Sequence, residues 1–296
     1  TPWSHDFVFW FMFVGITVSI VIAVRNLRNG IADRDAALKG AAIIVTLNMV
    51  TWLLLADHQF NAHEYVYLIS GLETALACAL EQWILYVALE PIIRRRFPQV
   101  LSSWKRLLAG RMWDPLVGRD VLAGVVTGIA LRSAEAISYL SDVTGSIPTQ
   151  SLQQTLTIRE TLACISYGTY SAMYMSLVLF VLAKLSSRVL RHPIAGYLVM
   201  GAFLFMLTWS IISPKYQHSP ALGIALFATA FVASIVCLRL GLLTTVAMAL
   251  TWIFATITPV TMKVDSFYFE SGLVGVAGIL GLASYATYVS QLGYRR

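Results

Sequence analysis

The stretch Tyr65-Val-Tyr-Leu-Ile-Ser-Gly-Leu-Glu-Thr-Ala-Leu-Ala-Cys-Ala-Leu-Glu-Gln-Trp-Ile-Leu-Tyr-Val-Ala-Leu89, followed at once by Glu90-Pro-Ile-Ile-Arg94-Arg-Arg96, decides the fold. As a helix rising 1.5 Å per residue, the apolar run is about 37 Å long, enough to cross about 30 Å of hydrocarbon. Three consecutive arginines then stop it at a charged face, as cytoplasmic ends of membrane helices do.

The same criterion applied outward gives nine apolar segments: 7–24, 40–56, 65–89, 121–140, 161–185, 194–212, 221–238, 242–260 and 271–289. The expected fold is therefore all-α, a polytopic membrane bundle forming a single domain over 1–296. Only Arg239, Leu240 and Gly241 separate the seventh segment from the eighth, so a re-entrant pair there, leaving seven crossings, stays open. Composition agrees: 58% of residues are hydrophobic and 12% charged, with a mean hydropathy of +0.73. That leaves too little polar surface to solvate a soluble domain of this length.

An amino terminus outside, followed by alternation, places Arg25, Arg28, Arg34 and Lys39 in the first inner loop. Arg94, Arg95, Arg96, Lys105, Arg106, Arg111 and Arg119 fall in the second, and Lys184, Arg188, Arg191, Arg239, Arg295 and Arg296 also fall inside. Only Arg132, Arg159, Lys215 and Lys263 remain outside, a bias that a wrong topology does not produce. The net charge of +6 is thus an orientation signal rather than a nucleic-acid surface, since the cations are spread over loops between apolar spans. The expected location is a membrane bordering the cytoplasm, crossed several times, with the carboxyl terminus cytoplasmic. The chain begins at Thr1 without an initiator Met, and neither a basic n-region nor an A-x-A site accompanies its first span. That span therefore does not read as a signal peptide, and the chain is expected to be a fragment or a processed product.

One segment is amphipathic instead of apolar. Over 97–110, Phe97, Val100, Leu101, Trp104, Leu107 and Leu108 recur at helical spacing opposite Gln99, Ser102, Ser103, Lys105 and Arg106. The pattern predicts an interfacial helix on the cytoplasmic side with Trp104 at headgroup depth; a helix folded onto the bundle's own inner loops has the same pattern. Around it, Glu90, Asp114 and Asp120 lie among basic residues. They are expected to pair with Arg94, Arg95, Arg111 or Arg119 and order a cytoplasmic platform, with Asp120 capping the fourth span and Asp114-Pro115 making a turn. A merely basic inner loop is the plainer reading.

Ionisable residues within spans are costly and usually face a bundle interior. Glu73 and Glu81, eight apart, share a face of the third span, and Arg132 and Glu135, three apart, are spaced to pair on the fourth. They read as interhelical glue first, as a polar switch or a transport path second. Gly124 and Gly128 form a GxxxG pair, and Gly272, Gly275, Gly278 and Gly281 recur every third residue, winding around the last helix so that it touches several neighbours. Cys78, Cys164 and Cys237 match no metal or redox spacing and read as packing residues.

His5, His58, His63 and His218 fall at the outer surface with Asp6, Asp57 and Glu64. Imidazole and carboxylate suit zinc or a pH sensor, with His58, His63, Asp57 and Glu64 as the candidates, yet the spacing fixes no geometry and solvated loop histidines are the simpler reading. No cofactor is expected. His63-Glu64 lacks a second zinc histidine and Ser70-Gly71 lacks a partner base, which disfavours intramembrane hydrolysis.

A resemblance adds to this reading. Leu85-Tyr-Val-Ala-Leu-Glu-Pro91, Arg94-Arg-Arg-Phe-Pro98, Ser103-Trp-Lys-Arg-Leu-Leu-Ala-Gly-Arg111 and Asp114-Pro-Leu-Val-Gly-Arg-Asp120 resemble the carboxyl-terminal membrane region of bacterial serine/threonine protein kinases of the acidobacterial type. Arg25-Asn-Leu-Arg28, Gly30, Asp33, Arg34 and the segment from Trp52 to His58 also match that region. The similarity is dense over about residues 20 to 130 and thin beyond. In that family a cytoplasmic kinase domain, one crossing and an extracytoplasmic segment precede the multi-span region, which implies an amino terminus outside. This chain has no Gly-rich phosphate loop, V-A-I-K lysine, H-R-D loop or D-F-G, so phosphoryl transfer is not carried by these residues. The resemblance implies a non-enzymatic sensory or scaffolding module. Its expected partners are the bilayer, a kinase domain, other membrane subunits or a second copy of the chain. A small-solute transporter or channel, or an accessory subunit of a larger complex, is the alternative.

Overall fold

A computed structural model describes residues 2–56, 58, 62–140, 157–211, 220–258, 265 and 269–292. Among these residues the chain is helical, with no strand. The helices are α1 (Pro2–Arg28), α2 (Arg34–Leu55), α3 (Ala62–Arg96), α4 (Ser102–Leu108), α5 (Pro115–Leu140), α6 (Ile158–Val189), α7 (Pro193–Ile211), α8 (Pro220–Leu240), α9 (Leu242–Ile257) and α10 (Phe269–Gln291). Within the described residues each apolar segment of the sequence falls in its own helix. Among the described residues five helical stretches are long and apolar enough to cross a membrane: Arg34–Leu55, His63–Arg95, Ile158–Val189, Gly223–Leu240 and Gly272–Gln291. The apolar helices Ile194–Trp209 and Leu242–Ile257 are shorter.

α3 runs through Glu90 and Pro91 to Arg96, past the end at Leu89 that the hydropathy pattern predicts. Pro91 has no N–H, so the carbonyl one turn earlier, on Val87, loses its helical donor. Asn26 on α1 supplies a replacement: its Nδ2 donates to Val87 O at 3.0 Å and to Ala88 O at 3.2 Å. The helix therefore passes the proline without an orphaned acceptor at Val87.

α9 is the hub. It packs chiefly on α5 and α6, and also on α8 and α10; Leu242, Thr244, Thr245, Met248 and Thr251 are all buried. Gly124 and Gly128 permit the closest of these approaches. A Cβ on Gly124 would lie 2.5 Å from Thr244 O and from Ala247 Cβ, and one on Gly128 would lie 2.6 Å from Met248 O. In lipid, where apolar burial gives no drive between helices, such backbone approach is a main source of association. The turn between α8 and α9 is Gly241 alone, at φ +132°, and a side chain there would collide with the Val100 carbonyl.

α10 lies mainly against α5. The four spaced glycines do not all serve packing: Gly272 and Gly275 are buried, whereas Gly278 and Gly281 are exposed with open space beside them.

The 97–110 segment is a 3-10 turn, Pro98–Leu101, followed by α4. Trp104 is 3% exposed and Ser103 is fully buried, so the segment is folded onto the bundle, and an amphipathic face turned to lipid gives way to the packed alternative. The physical reason is local charge, because Lys105 has two carboxylates to reach within the bundle. The capping expectation is also corrected. α5 begins at Pro115, and the Asp114 carboxylate accepts from Leu116 N at 3.0 Å. Asp120 lies more than a turn inside the helix, buried, and holds Arg119.

Candidate functional site at the basic end

The termini of α1 and α3, the starts of α2, α5 and α9, the connection through α4, and the α6–α7 turn meet at one end of the bundle. Contacts that join them include Asn26 to Val87, Lys39 Nζ to Leu108 O at 3.5 Å, Gly241 against Val100, and Tyr285 donating to Met112 O at 2.6 Å. The His58–Glu64 pair is at the other end of α3 from Arg94, about 45 Å away along the helix axis.

At the basic end, Glu90 is 1% exposed, a carboxylate inside the fold. Lys105 Nζ donates to its Oε1 at 2.8 Å and to Asp33 Oδ2 at 2.9 Å, and Arg94 Nε stands 3.5 Å from Oε1. Arg94 Nη2 also donates to Ile31 O at 2.7 Å. One lysine thus joins the α1–α2 turn, α3 and α4. Asp33 additionally caps α2, accepting from Ala36 N at 3.2 Å. Partial burial acts to raise the Asp33 carboxyl, but Lys105, the Ala36 N–H and Arg94 together hold it below its ordinary value. Burial likewise acts to lower Lys105, and its bonds to Glu90 and Asp33 raise it above the usual lysine value. Beside this cluster Arg106 grips both oxygens of Asp114, at 2.7 and 2.6 Å.

Of the pairings expected from sequence, Glu90–Arg94 and Asp120–Arg119 are present. Lys105, Arg106 and Asp33, which bring the segments together, are not among the pairings that the sequence pattern predicts. Asp33 before an apolar helix is a capping signal, and it was available in the sequence. Arg95 and Arg111 are exposed, and the side chain of Arg96 lies outside the described residues.

Gln82, Tyr86 and Glu90 form a stripe at spacings of four on α3. Each has a buried oxygen with no hydrogen-bond partner among the described residues, as do Ser103 Oγ, Trp104 Nε1 and Thr244 Oγ1. Such atoms are exceptions in folded proteins and lower stability unless satisfied.

A cavity of about 1120 Å³ opens at the same end between α1, α3, α6 and α8. Arg25, Arg95, Lys184, Arg188, Arg191 and Arg239 line it, with Asn29, Gln99 and Ser187, and no carboxylate is among its lining residues. Lys184 lies over the Phe97 ring, 4.5 Å from its centroid, a cation–π contact.

The other candidates are dispersed. Glu73 is exposed on the surface of α3. Glu81 accepts from Tyr174 Oη at 2.6 Å, joining α3 to α6. Arg132 Nη1 bonds Glu135 at 2.9 Å, and Trp252 Nε1 donates to the other Glu135 oxygen at 2.7 Å, joining α5 to α9. Among the described residues these two sets tie different helix pairs, α3 to α6 and α5 to α9.

At the far end His58 Nδ1 pairs with Glu64 and its Nε2 bonds Leu53 O at 3.0 Å. Asp57, His5 and His218 lie outside the residues or side chains described, and no metal-binding group of three ligands is found among those that are. The chain matches no family model, no curated protein and no solved structure.

Proposed function

We propose that this chain is a non-enzymatic membrane module that senses or organises, working with a bacterial serine/threonine kinase. In this reading all nine apolar helices cross the inner membrane, the amino terminus lies outside and the basic end is cytoplasmic. The charge bias supports the orientation, because the described cations assigned inside gather at one end of the helices. The resemblance of residues 20 to 130 to kinase membrane regions supports the partner.

The observation that carries the proposal is Lys105 bridging Asp33 and Glu90. A buried carboxylate that holds the α1–α2 turn, α3 and α4 in one arrangement makes the basic end a platform whose parts move together. A module that relays or organises needs that coupling. Transport stays the second reading: Glu81 and Arg132 are each engaged in a hydrogen bond or ion pair, and Glu73 is exposed on α3.

Two measurements test the reading. An in-frame kinase domain and crossing encoded upstream of Thr1 supports the kinase partner, and a start codon immediately before Thr1 removes that support. With a membrane-impermeant maleimide on right-side-out vesicles, Asp265→Cys should label and Arg111→Cys should not; equal labelling of both overturns the topology.

A further inference from the structure

The cavity at the basic end differs from the surface around it. Asp33, Glu90, Asp114 and Asp120 all hold cations outside the cavity. None of the six cations lining the cavity has a carboxylate partner among the described residues. Like charges gathered around one recess repel, and an anion between them relieves that repulsion.

The walls specify more than an anion. Ile22, Leu89, Ile92 and Leu238 line the same space. At its depth, Ser19 and Val181 are shared with a second, narrow crevice of about 20 Å³ between α1, α3 and α6, otherwise walled by Gly15, Ile16, Leu85, Tyr174, Val178 and Leu182. A basic mouth therefore leads into an apolar seam. The acyl chains of a bound amphiphile would leave the basic mouth along this apolar wall, between α1 and α6 toward the bilayer.

We propose that this cavity binds an anionic phospholipid, with its phosphate among Arg25, Arg95, Arg188, Arg191 and Arg239 and its glycerol end at the seam. Arginine suits the role, since its planar donors match phosphate oxygens. Basic pockets between helices at a cytoplasmic face have the polarity that acidic headgroups require. The inference rests on the chain lying in a membrane and is independent of the kinase association.

The test uses the purified chain in a neutral detergent, with binding followed by titration of dioleoyl-phosphatidylglycerol, dioleoyl-phosphatidylcholine and inorganic pyrophosphate. Phosphatidylglycerol should bind at least about tenfold more tightly than phosphatidylcholine. Arg188→Gln with Arg191→Gln should weaken phosphatidylglycerol binding by about tenfold or more, at about a factor of five per cation. Arg28→Gln with Arg34→Gln removes the same charge at the same end, outside the cavity, and should change binding less than about threefold. Competition by pyrophosphate supports recognition through phosphate. Three results overturn the proposal: equal affinity for the two lipids, equal losses in the two double variants, or binding of pyrophosphate without binding of phosphatidylglycerol, which would make the occupant a soluble phosphate.

Discussion

Asn26 stands in for the N–H that Pro91 lacks. Its Nδ2 is 3.0 Å from the Val87 carbonyl, the acceptor that a residue with an N–H at position 91 would satisfy from within α3. α1 is thereby tied to the helix on which it chiefly packs. Asn26→Leu should destabilise the bundle by about 1–3 kcal/mol, because a buried carbonyl loses its partner. In an Asn26→Leu, Pro91→Ala double variant most of that loss should be recovered, since the alanine N–H can serve Val87. Unfolding in mixed micelles gives the cycle, and strictly additive losses would show that the two residues are not linked.

Among the described residues, Lys105 is the one cation from outside α3 that pairs with Glu90. Lys105→Met should cost about 3–5 kcal/mol, the range for removing one partner of a buried pair. Adding Glu90→Gln should recover much of it, since no buried charge is then left uncompensated. Denaturant unfolding of the four members of the cycle measures the coupling. A single-variant loss below about 1 kcal/mol would mean that solvent reaches Glu90 and that the platform is not held by this contact.

What was legible in the sequence depended on the range of the interaction. Hydropathy located the helices because each apolar run is its own signal, and the Arg132–Glu135 pair was legible because both residues are on one helix, three apart. The end of α3 was not, because the donor that lets the helix continue past Pro91 comes from Asn26, on another helix. Trp104 shows a different limit: an apolar stripe looks the same whether it faces lipid or protein, and only the inward reach of Lys105 to Glu90, fifteen residues earlier, separates the cases. The cations of the cavity were all visible as an orientation signal. That Arg25, Arg95, Arg188 and Arg239 converge on one recess follows from helix packing, which their spacing does not encode.

Gly124 and Gly278 are both glycines within helices, with opposite surroundings. A Cβ at Gly124 would meet the backbone of α9 at Thr244, while one at Gly278 would meet nothing within 4 Å. Gly124→Ala should destabilise by about 1–3 kcal/mol through overpacking, and Gly278→Ala should stay within about 0.5 kcal/mol or stabilise slightly. Thermal unfolding of the two single variants makes the comparison. Equal losses would mean that the face of α10 at Gly278 is itself a packed interface, with another copy or another subunit.

His58 is paired with Glu64 at the start of α3. Its hydrogen bond to Glu64, then its bond to Leu53 O, raise its pKa above the ordinary value of 6.5. A raised folded-state value means that the pair's contribution is complete below about pH 6.5 and is lost as pH rises through the folded-state pKa. The loop between α2 and α3 should therefore be held more firmly at pH 6 than at pH 8. Imidazole carbon shifts followed by NMR should give a midpoint above 6.5 in the native chain and a lower one in Glu64→Gln. An unchanged midpoint in that variant would show that Glu64 does not hold the protonated ring, and the pH dependence of this loop would then have to arise elsewhere.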